Sequence, residues 1–390
     1  MFNLKSSKFN MYLCIAAKLI IHLNSLLLKK TRTLLFKQNS NPKKILIFRI
    51  GSLGDSICAI PSIVSIKNRY PNVELHILTN TSSEKNILSI ENIISSEYYD
   101  KLIDYNSNKW RTLSRILRAE KYDLVIHLTQ QGSTTFKHLR DIIFFRFLAK
   151  IPSGVGWDKN TIDYFKKIQS NCLELGNEQS RLARILQQQL GIQSLNGNLI
   201  YKLAFNDNDF KVVEDLLKQK VKDLNKSAIA MVIGAKRSTN RWPISYFYET
   251  VKQFCSEFNI YIIGGIDDVG LSQPLLSLPN TYSFCGDLTP SQSALLMKNC
   301  ILTLSNDTGP MHLSYSSGTP VVALFSNRDF PNLWYPPNDG KNIVHRASGI
   351  SCSLCLLENC PNDNLCMKQI SVGQVVNSLK TITQYSKSGY

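Results

Sequence analysis

The sequence predicts an α/β protein built from two doubly wound parallel sheets, and three observations carry that expectation. Continuous apolar runs of strand length recur along the chain, each closed by a small-residue turn and followed by a helical stretch. The runs come in two series, one within 44–129 and one within 227–325, separated by a polar, Asn-rich stretch and a charged helix. At about 150 residues per domain, 390 residues also suffice for two or three domains with full cores. Two doubly wound domains place a ligand in a cleft at the carboxyl ends of their strands.

The elements follow in order. Residues 11–28 read MYLCIAAKLIIHLNSLLL, with Lys18, His22, Ser25 and Lys29 on one stripe of a helix and apolar side chains elsewhere. Lys29, Lys30, Arg32 and Lys37 follow, so the segment reads as a basic amphipathic helix lying on an anionic membrane surface. A spanning anchor and a plain packing helix are the alternatives. A signal peptide would need an uninterrupted apolar core and a small-residue cleavage site, and neither is evident. KILIFRI (44–50), VELHIL (73–78), KLID (101–104) and DLVIHLT (123–129) are the strands of the first series. SAIAMVIGA (227–235), NIYIIGG (259–265), TYSFCG (281–286), ILTLSND (301–307) and TPVVALF (319–325) are those of the second. The expected organisation is an extension at 1–42, a domain at 43–205 and a second domain at 206–390.

Composition narrows the class. Apolar residues make up 43% and charged ones 19%, with 14 Pro and 19 Gly, which excludes a disordered or collagen-like chain. The 45 basic and 29 acidic residues give a formal charge of +16, which favours acidic partners. Nine of the basic residues lie in 1–44, before the first acid, Asp55. The excess thus sits partly in the extension, and nucleic acid is not expected as a partner.

Three turns carry chemistry. Arg49-Ile-Gly51-Ser-Leu-Gly54-Asp55 runs from strand through glycine turn to helix. Asp55 reads either as a helix N-cap or as a carboxylate able to act as general base. The turn is not a dinucleotide fingerprint, because the third glycine is absent. Leu304-Ser-Asn306-Asp307-Thr308-Gly309-Pro310-Met-His312 offers helix-start amides and a hydroxyl to a phosphate, or is an ordinary capped turn with a core histidine. Gly234-Ala-Lys236-Arg237-Ser-Thr239-Asn240-Arg241-Trp242-Pro243 gathers three cations in one loop, suited to a departing diphosphate or to solvent. Gly264-Gly265-Ile-Asp267-Asp268 ends the next strand with an acid suited to a ribose diol.

Together these elements resemble glycosyltransferase family 9, the heptosyltransferases of bacterial lipopolysaccharide assembly, from about Lys43 to Val376. SNDTGPMHLSYSSGTPVVALF (305–325) is similar to the family's D-T-G-x-x-H signature, and RIGSLGDSICAIP (49–61) to its G-D-x-x-x-x-x-P start. The resemblance implies a GT-B fold, an inverting transfer from a nucleotide sugar such as ADP-heptose, and no catalytic metal. It implies Asp55 as catalytic base, with Gly54 beside it on the acceptor side, and a donor site built by Asp307, Thr308, Gly309 and His312. It also implies a lipopolysaccharide core acceptor and a peripheral place on the cytoplasmic face of the bacterial inner membrane. Where the family commonly has Lys two residues before Trp-Pro, this chain has Asn240. The diphosphate role therefore passes first to Arg241, with Lys236 and Arg237 in the same loop. Asp268 best matches the family's ribose-contacting acid, with Asp267 as the alternative. The non-enzymatic reading is a nucleotide-binding interaction module of the same fold, and a sugar-nucleotide epimerase is a third.

Arg111, Arg115 and Arg118 share one helix face. They read as a solvated exterior or as contacts to a phosphate-rich acceptor. Ten cysteines include Cys352, Cys355, Cys360 and Cys366, whose spacing suits a structural zinc, free thiols or a disulfide. Cys14, Cys58, Cys172, Cys255, Cys285 and Cys300 read as small core residues.

Overall fold

The computed structural model describes residues 4–80, 90, 93–106, 109–128, 134–157, 176–193 and 200–387, with the side chains of 4–18, 21 and 385–387 left aside. Lys18, Cys14 and Cys172 therefore lie outside the described side chains. The chain divides into two compact units, Met1–Lys202 and Leu203–Tyr390.

The first unit is a five-stranded parallel sheet in the order β3-β2-β1-β4-β5, from β1 (Lys44–Phe48), β2 (Glu74–Thr79), β3 (Lys101–Asp104), β4 (Leu124–His127) and β5 (Ser153–Gly156). The helices are α1 (Leu4–Leu35), α2 (Leu53–Arg69), α3 (Trp110–Glu120), α4 (Thr135–Ile143), continued as a π-turn over Phe144–Leu148, and α5 (Glu178–Leu190). Side chains alternate across the sheet. On one face Leu46, Phe48, Ile103 and Val125 form a core with Leu113 and Leu117 of α3, Ile142 of α4 and Phe145 of the π-turn. Helices α2 and α5 pack on each other.

The amino-terminal helix is not a detached extension at its carboxyl end. Leu28 and Phe36 are buried in that same core, and Phe36 stacks on Trp157 with centroids 5.2 Å apart. Lys37 N donates to Pro152 O at 3.0 Å and bridges to Ser153 of β5. On the expected polar stripe, His22 and Lys29 are exposed and Ser25 is half-buried. Leu19, Leu23, Leu26, Leu27 and Leu34 are exposed too, Leu34 at 84%. Among the described residues no helix is long and apolar enough to cross a membrane.

The second unit is a six-stranded parallel sheet in the order β11-β10-β9-β6-β7-β8. It comprises β6 (Ala228–Val232), β7 (Asn259–Ile262), β8 (Thr281–Ser283), β9 (Leu302–Asn306), β10 (Val321–Phe325) and β11 (Ile343–Arg346). Its helices are α6 (Asp207–Lys220), α7 (Ile244–Phe254), α8 (Val269–Ser272), α9 (Pro290–Lys298), α10 (Gly309–Ser316), α11 (Leu365–Lys368) and α12 (Val372–Lys387). Capping boxes start α6 at Asn206/Asp209 and α9 at Thr289/Gln292. All expected strands form, somewhat shortened, and β5 and β11 are additional.

Candidate active site

In the first unit the turn after β1 is built around Asp55. Ser52 is the N-cap of α2, so Asp55 is the third helical residue rather than the cap. Its Oδ2 accepts from Ser52 N and from Ser52 Oγ, both at 2.7 Å. Gly51 has φ +152°, and a Cβ there would lie 2.5 Å from Asp55 Cβ, so only glycine lets the carboxylate fold back over the turn. Asn80, just past β2, clasps Gly51 from outside: its Oδ1 accepts from Gly51 N at 2.8 Å and its Nδ2 donates to Gly51 O at 3.0 Å. Asp55 Oδ1 is buried and accepts no hydrogen bond among the described residues. The nearest cation is Arg49, whose Nη2 stands 3.6 Å away and donates to the Asp55 backbone O. One carboxylate oxygen is thus anchored, and the other faces the Arg49 guanidinium without a hydrogen bond. Gly54 is buried beside it in the first turn of α2.

Arg49 is fully buried and donates to Glu178 Oε1 at 3.1 Å, while Arg181 donates to Glu178 Oε2 at 2.8 Å. Burial alone would raise the Glu178 pKa, but Arg181 and Arg49 outweigh it and hold the carboxyl below its usual value. Neither Asn80 nor the Arg49–Glu178–Arg181 cluster was singled out from sequence. Arg49 ending an apolar strand was the signal that a buried counter-ion had to exist. Arg111, Arg115 and Arg118 are exposed on α3, and Arg118 Nη2 donates to Leu148 O at 2.8 Å, closing the π-turn.

In the second unit, the ends of β6, β7 and β9 meet the basic loop. Asn306 is fully buried; its Oδ1 accepts from Trp242 N at 3.0 Å and its Nδ2 donates to Ile233 O at 2.7 Å. Trp242 is buried against Phe247 and donates to Ile370 O at 2.9 Å. Thr308 caps α10 in an extended conformation. Met311 N turns back to Thr308 O and Pro310 has no N–H. The donors this turn can offer an anion are therefore Thr308 Oγ1 and the amides of Thr308 and Gly309. His312 is buried with Nδ1 2.7 Å from Tyr315 OH, and burial pushes its pKa down to about 3. It is a neutral imidazole and adds no positive charge to this end of the sheet.

Asp268 folds back to accept from Gly265 N at 3.0 Å. A Cβ on Gly234 would come within 2.0 Å of its Oδ1, so the carboxylate rests against the bare backbone at the end of β6. Arg241 is half-buried with Nε donating to Ala235 O at 2.9 Å, and its charge acts on Asp268. Asp267 is exposed. Lys236 is exposed too, whereas Arg237 is engaged by Glu358 at 3.0 Å. The structure thus brings Arg241 and Asp268 together and gives Arg237 a partner in the cysteine segment.

That segment is part of the same neighbourhood. Ser238 Oγ donates to Glu358 O, Thr239 Oγ1 to Leu357 O, and Asn364 Nδ2 to Ser238 O. Asn327 N donates to Cys366 Sγ at 3.4 Å. The cysteine loop therefore buttresses the basic loop, rather than lying apart from it. Cys352, Cys355, Cys360 and Cys366 form no disulfide. Among the described residues, Glu74, His76 and Glu120 are the one group of three or more ligating side chains with ligand atoms within 4.8 Å of one another. Lys44 and Lys101 neutralise that group.

Asn240 fills the place left by the expected lysine. Its Nδ2 donates to Asp307 Oδ2 at 3.0 Å and its Oδ1 accepts from Ser326 Oγ at 2.7 Å. With an amide there, burial and the nearby Asp329 push the Asp307 pKa up to about 7 against the pull of Arg237, Arg328 and Arg346. Asn240→Lys should lower that value by about one to three units, the usual effect of an opposite charge in contact. The proton leaves Asp307 at lower pH, so the titration profile of its carboxyl carbon resonance should move down by that much. A profile that stays in place would show that the residue at 240 does not govern that proton.

The model of glycosyltransferase family 9 (heptosyltransferase) matches residues 110–366. Lipooligosaccharide heptosyltransferase 2 of Campylobacter jejuni is 26% identical over 156 residues, 38% of this chain and 48% of that protein. The chain thus spans about half the length of that relative. Lipopolysaccharide heptosyltransferase 1 of Campylobacter coli is 24% identical over 302 residues, 72% of this chain and 83% of that protein. The solved ADP-heptose lipopolysaccharide heptosyltransferase II of Escherichia coli superposes with a TM-score of 0.63 at 18% identity, over 88% of this chain and 99% of its own. That likeness shows a common GT-B fold.

Proposed function

We propose that this chain, which belongs to glycosyltransferase family 9 (heptosyltransferase), transfers a sugar with inversion from a nucleotide diphosphate donor, ADP-heptose, to a hydroxyl of a lipopolysaccharide core acceptor. The observation that carries the reading is Asp55: a buried carboxylate with one oxygen fixed by Ser52 and the other unbonded. In the reaction Asp55 takes the acceptor hydroxyl proton, and the oxygen attacks the anomeric carbon. The bond from that carbon to the diphosphate oxygen breaks, and ADP leaves carrying the electron pair. Arg241, Thr308 Oγ1 and the Gly309 amide stabilise the departing charge, and Asp268 receives the ribose diol. The protein's own cations supply that stabilisation, so the reading requires no metal. Incubating the protein with ADP-heptose and a heptose-free core lipid should add one heptose to the acceptor mass. Nucleotide binding without turnover would instead favour the interaction module.

Arg241→Ala should weaken ADP binding and slow transfer by about tenfold or more, because a diphosphate loses a cation in a partly dry site. Lys236→Ala should do less, being exposed, and Arg237→Ala less still, being engaged by Glu358. The reverse ranking in a calorimetric titration would move the assignment along the loop.

The same reading places the protein on the cytoplasmic face of the inner membrane through the exposed leucines of α1 and the basic residues at its end. Replacing Leu19, Leu23, Leu26, Leu27 and Leu34 together by Gln leaves Leu28 and Phe36 in the core, so the protein should stay folded and shift from the membrane to the soluble fraction. Removing 1–40 should cost stability as well, since two core side chains worth about 1.5–3 kcal/mol each are lost. Full membrane retention of the five-leucine variant would place the contact elsewhere.

A further inference from the structure

The first unit contains an apolar cavity of about 620 Å³ between α3, α4 and the π-turn. That lies within the roughly 300–1,000 Å³ of ligand pockets. Phe48, Leu113 and Phe145, all buried, form its floor, and Trp110, Phe136 and Ile143 stand around it, exposed at 46%, 78% and 51%. Among its polar lining residues, Arg140 and Asp141 are already paired at 2.6 Å. Such a lining suits a long hydrocarbon and offers little to a sugar or nucleotide.

The surroundings identify the source of that hydrocarbon. Helix α1 packs on α4 and carries the exposed Leu19, Leu23, Leu26, Leu27 and Leu34, and Phe147 of the π-turn is 53% exposed. Large apolar side chains exposed in such number mark a contact surface. Residues 29–37 and 109–150 carry 13 basic side chains against three acids. Each acid is spent inside the fold: Glu120 on Lys44 and Lys101, Asp123 on the amides of Lys43 and Lys44, and Asp141 on Arg140 and His127. The net charge of these two segments is therefore +10 (13 basic minus 3 acidic), the complement of an anionic leaflet.

We infer that this cavity holds one acyl chain of an anionic phospholipid of the bilayer. Its lining includes none of the residues assigned here to the base, the donor or the acceptor, so it is a lipid site separate from the reaction. The inference rests on the membrane-surface reading only for how the lipid arrives.

The test uses the full chain and lysophosphatidylglycerol below its micelle concentration, titrated by calorimetry, with vesicle sedimentation run in parallel. A 16-carbon probe should bind at one site, and shortening it by two carbons should weaken binding about 15-fold, the fold-change of about 0.8 kcal/mol per methylene. Glycerophosphoglycerol without a chain should not compete. Leu139→Trp, which fills the cavity, should lower affinity at least tenfold while vesicle binding persists through α1. If that variant melts early, Phe136→Ala, at an exposed wall position, should show the same loss. No saturable binding by the 16-carbon probe, affinity independent of chain length, or undiminished binding by both variants overturns the inference even if vesicles still sediment the protein. Displacement of the probe by the core glycolipid but not by phosphatidylglycerol overturns it as well, by giving the cavity to the acceptor.

Discussion

Asp55→Asn should lower turnover by about 100- to 10,000-fold, the usual contribution of a general base. The substitution conserves shape. An Asn carbonyl oxygen can take over the bond from Ser52 N now made to Oδ2, so the α2 turn and its packing under Gly51 survive. What is lost sits at the other oxygen: Oδ1 accepts nothing among the described residues, and an amide nitrogen there cannot take a proton. Donor affinity should hold, because the groups assigned to ADP lie in the second unit, on the turns bearing Arg241, Asp268 and Thr308. Calorimetry with ADP-heptose and a turnover assay on the same protein separate the two quantities. Near-normal turnover would make Asp55 a structural member of the helix start. Lost donor binding would show that its role reaches beyond the proton.

Much of this was legible because buried parallel strands announce themselves. ILIF, AIAMV and VVALF are unbroken apolar runs, and each gives way within two residues to a polar or turn residue. The strands β5 and β11 carry no such signature. Ser153-Gly-Val-Gly has two glycines in four residues, and Gly154 lies under the ring of Phe36, where a Cβ would be 2.9 Å from it. Ile343–Arg346 is a half-buried edge, two apolar residues followed by two polar ones. The site divides along the same line. Local spacing exposes Asp55, Asp268 and Thr308, since each lies in a strand-to-helix turn. Long-range partners leave no local trace: Asn80 reaches Gly51 from 29 residues away, Glu178 reaches Arg49 from 129, and Glu358 reaches Arg237 from 121. The amino-terminal helix shows the same limit. Its period revealed two characters, but only tertiary packing decides that Leu28 belongs to the core and Leu27 does not.

Glu178→Ala should destabilise the first unit by about 3–5 kcal/mol, because it leaves two buried guanidiniums without their anion. Arg49 is wholly buried and Arg181 nearly so, and neither can reach water without opening the core. The pH dependence follows from the sign of the shift. Glu178 titrates below its ordinary value of 4.5 in the folded protein, so its stabilisation is complete above that value and is lost as the pH falls through the depressed one. Urea unfolding of the wild type should therefore weaken on acidification below about pH 4.5, and the variant should lack this component. Glu178→Gln keeps the volume and tests a second consequence. Arg49 now divides its charge between Glu178 at 3.1 Å and Asp55 at 3.6 Å. With Glu178 neutral, Asp55 is left facing a guanidinium that no longer shares its charge with that carboxylate. The expected result is a lower turnover with the fold retained. A variant equal to wild type in both stability and turnover would mean that the cluster is neither a staple of the fold nor a regulator of the base.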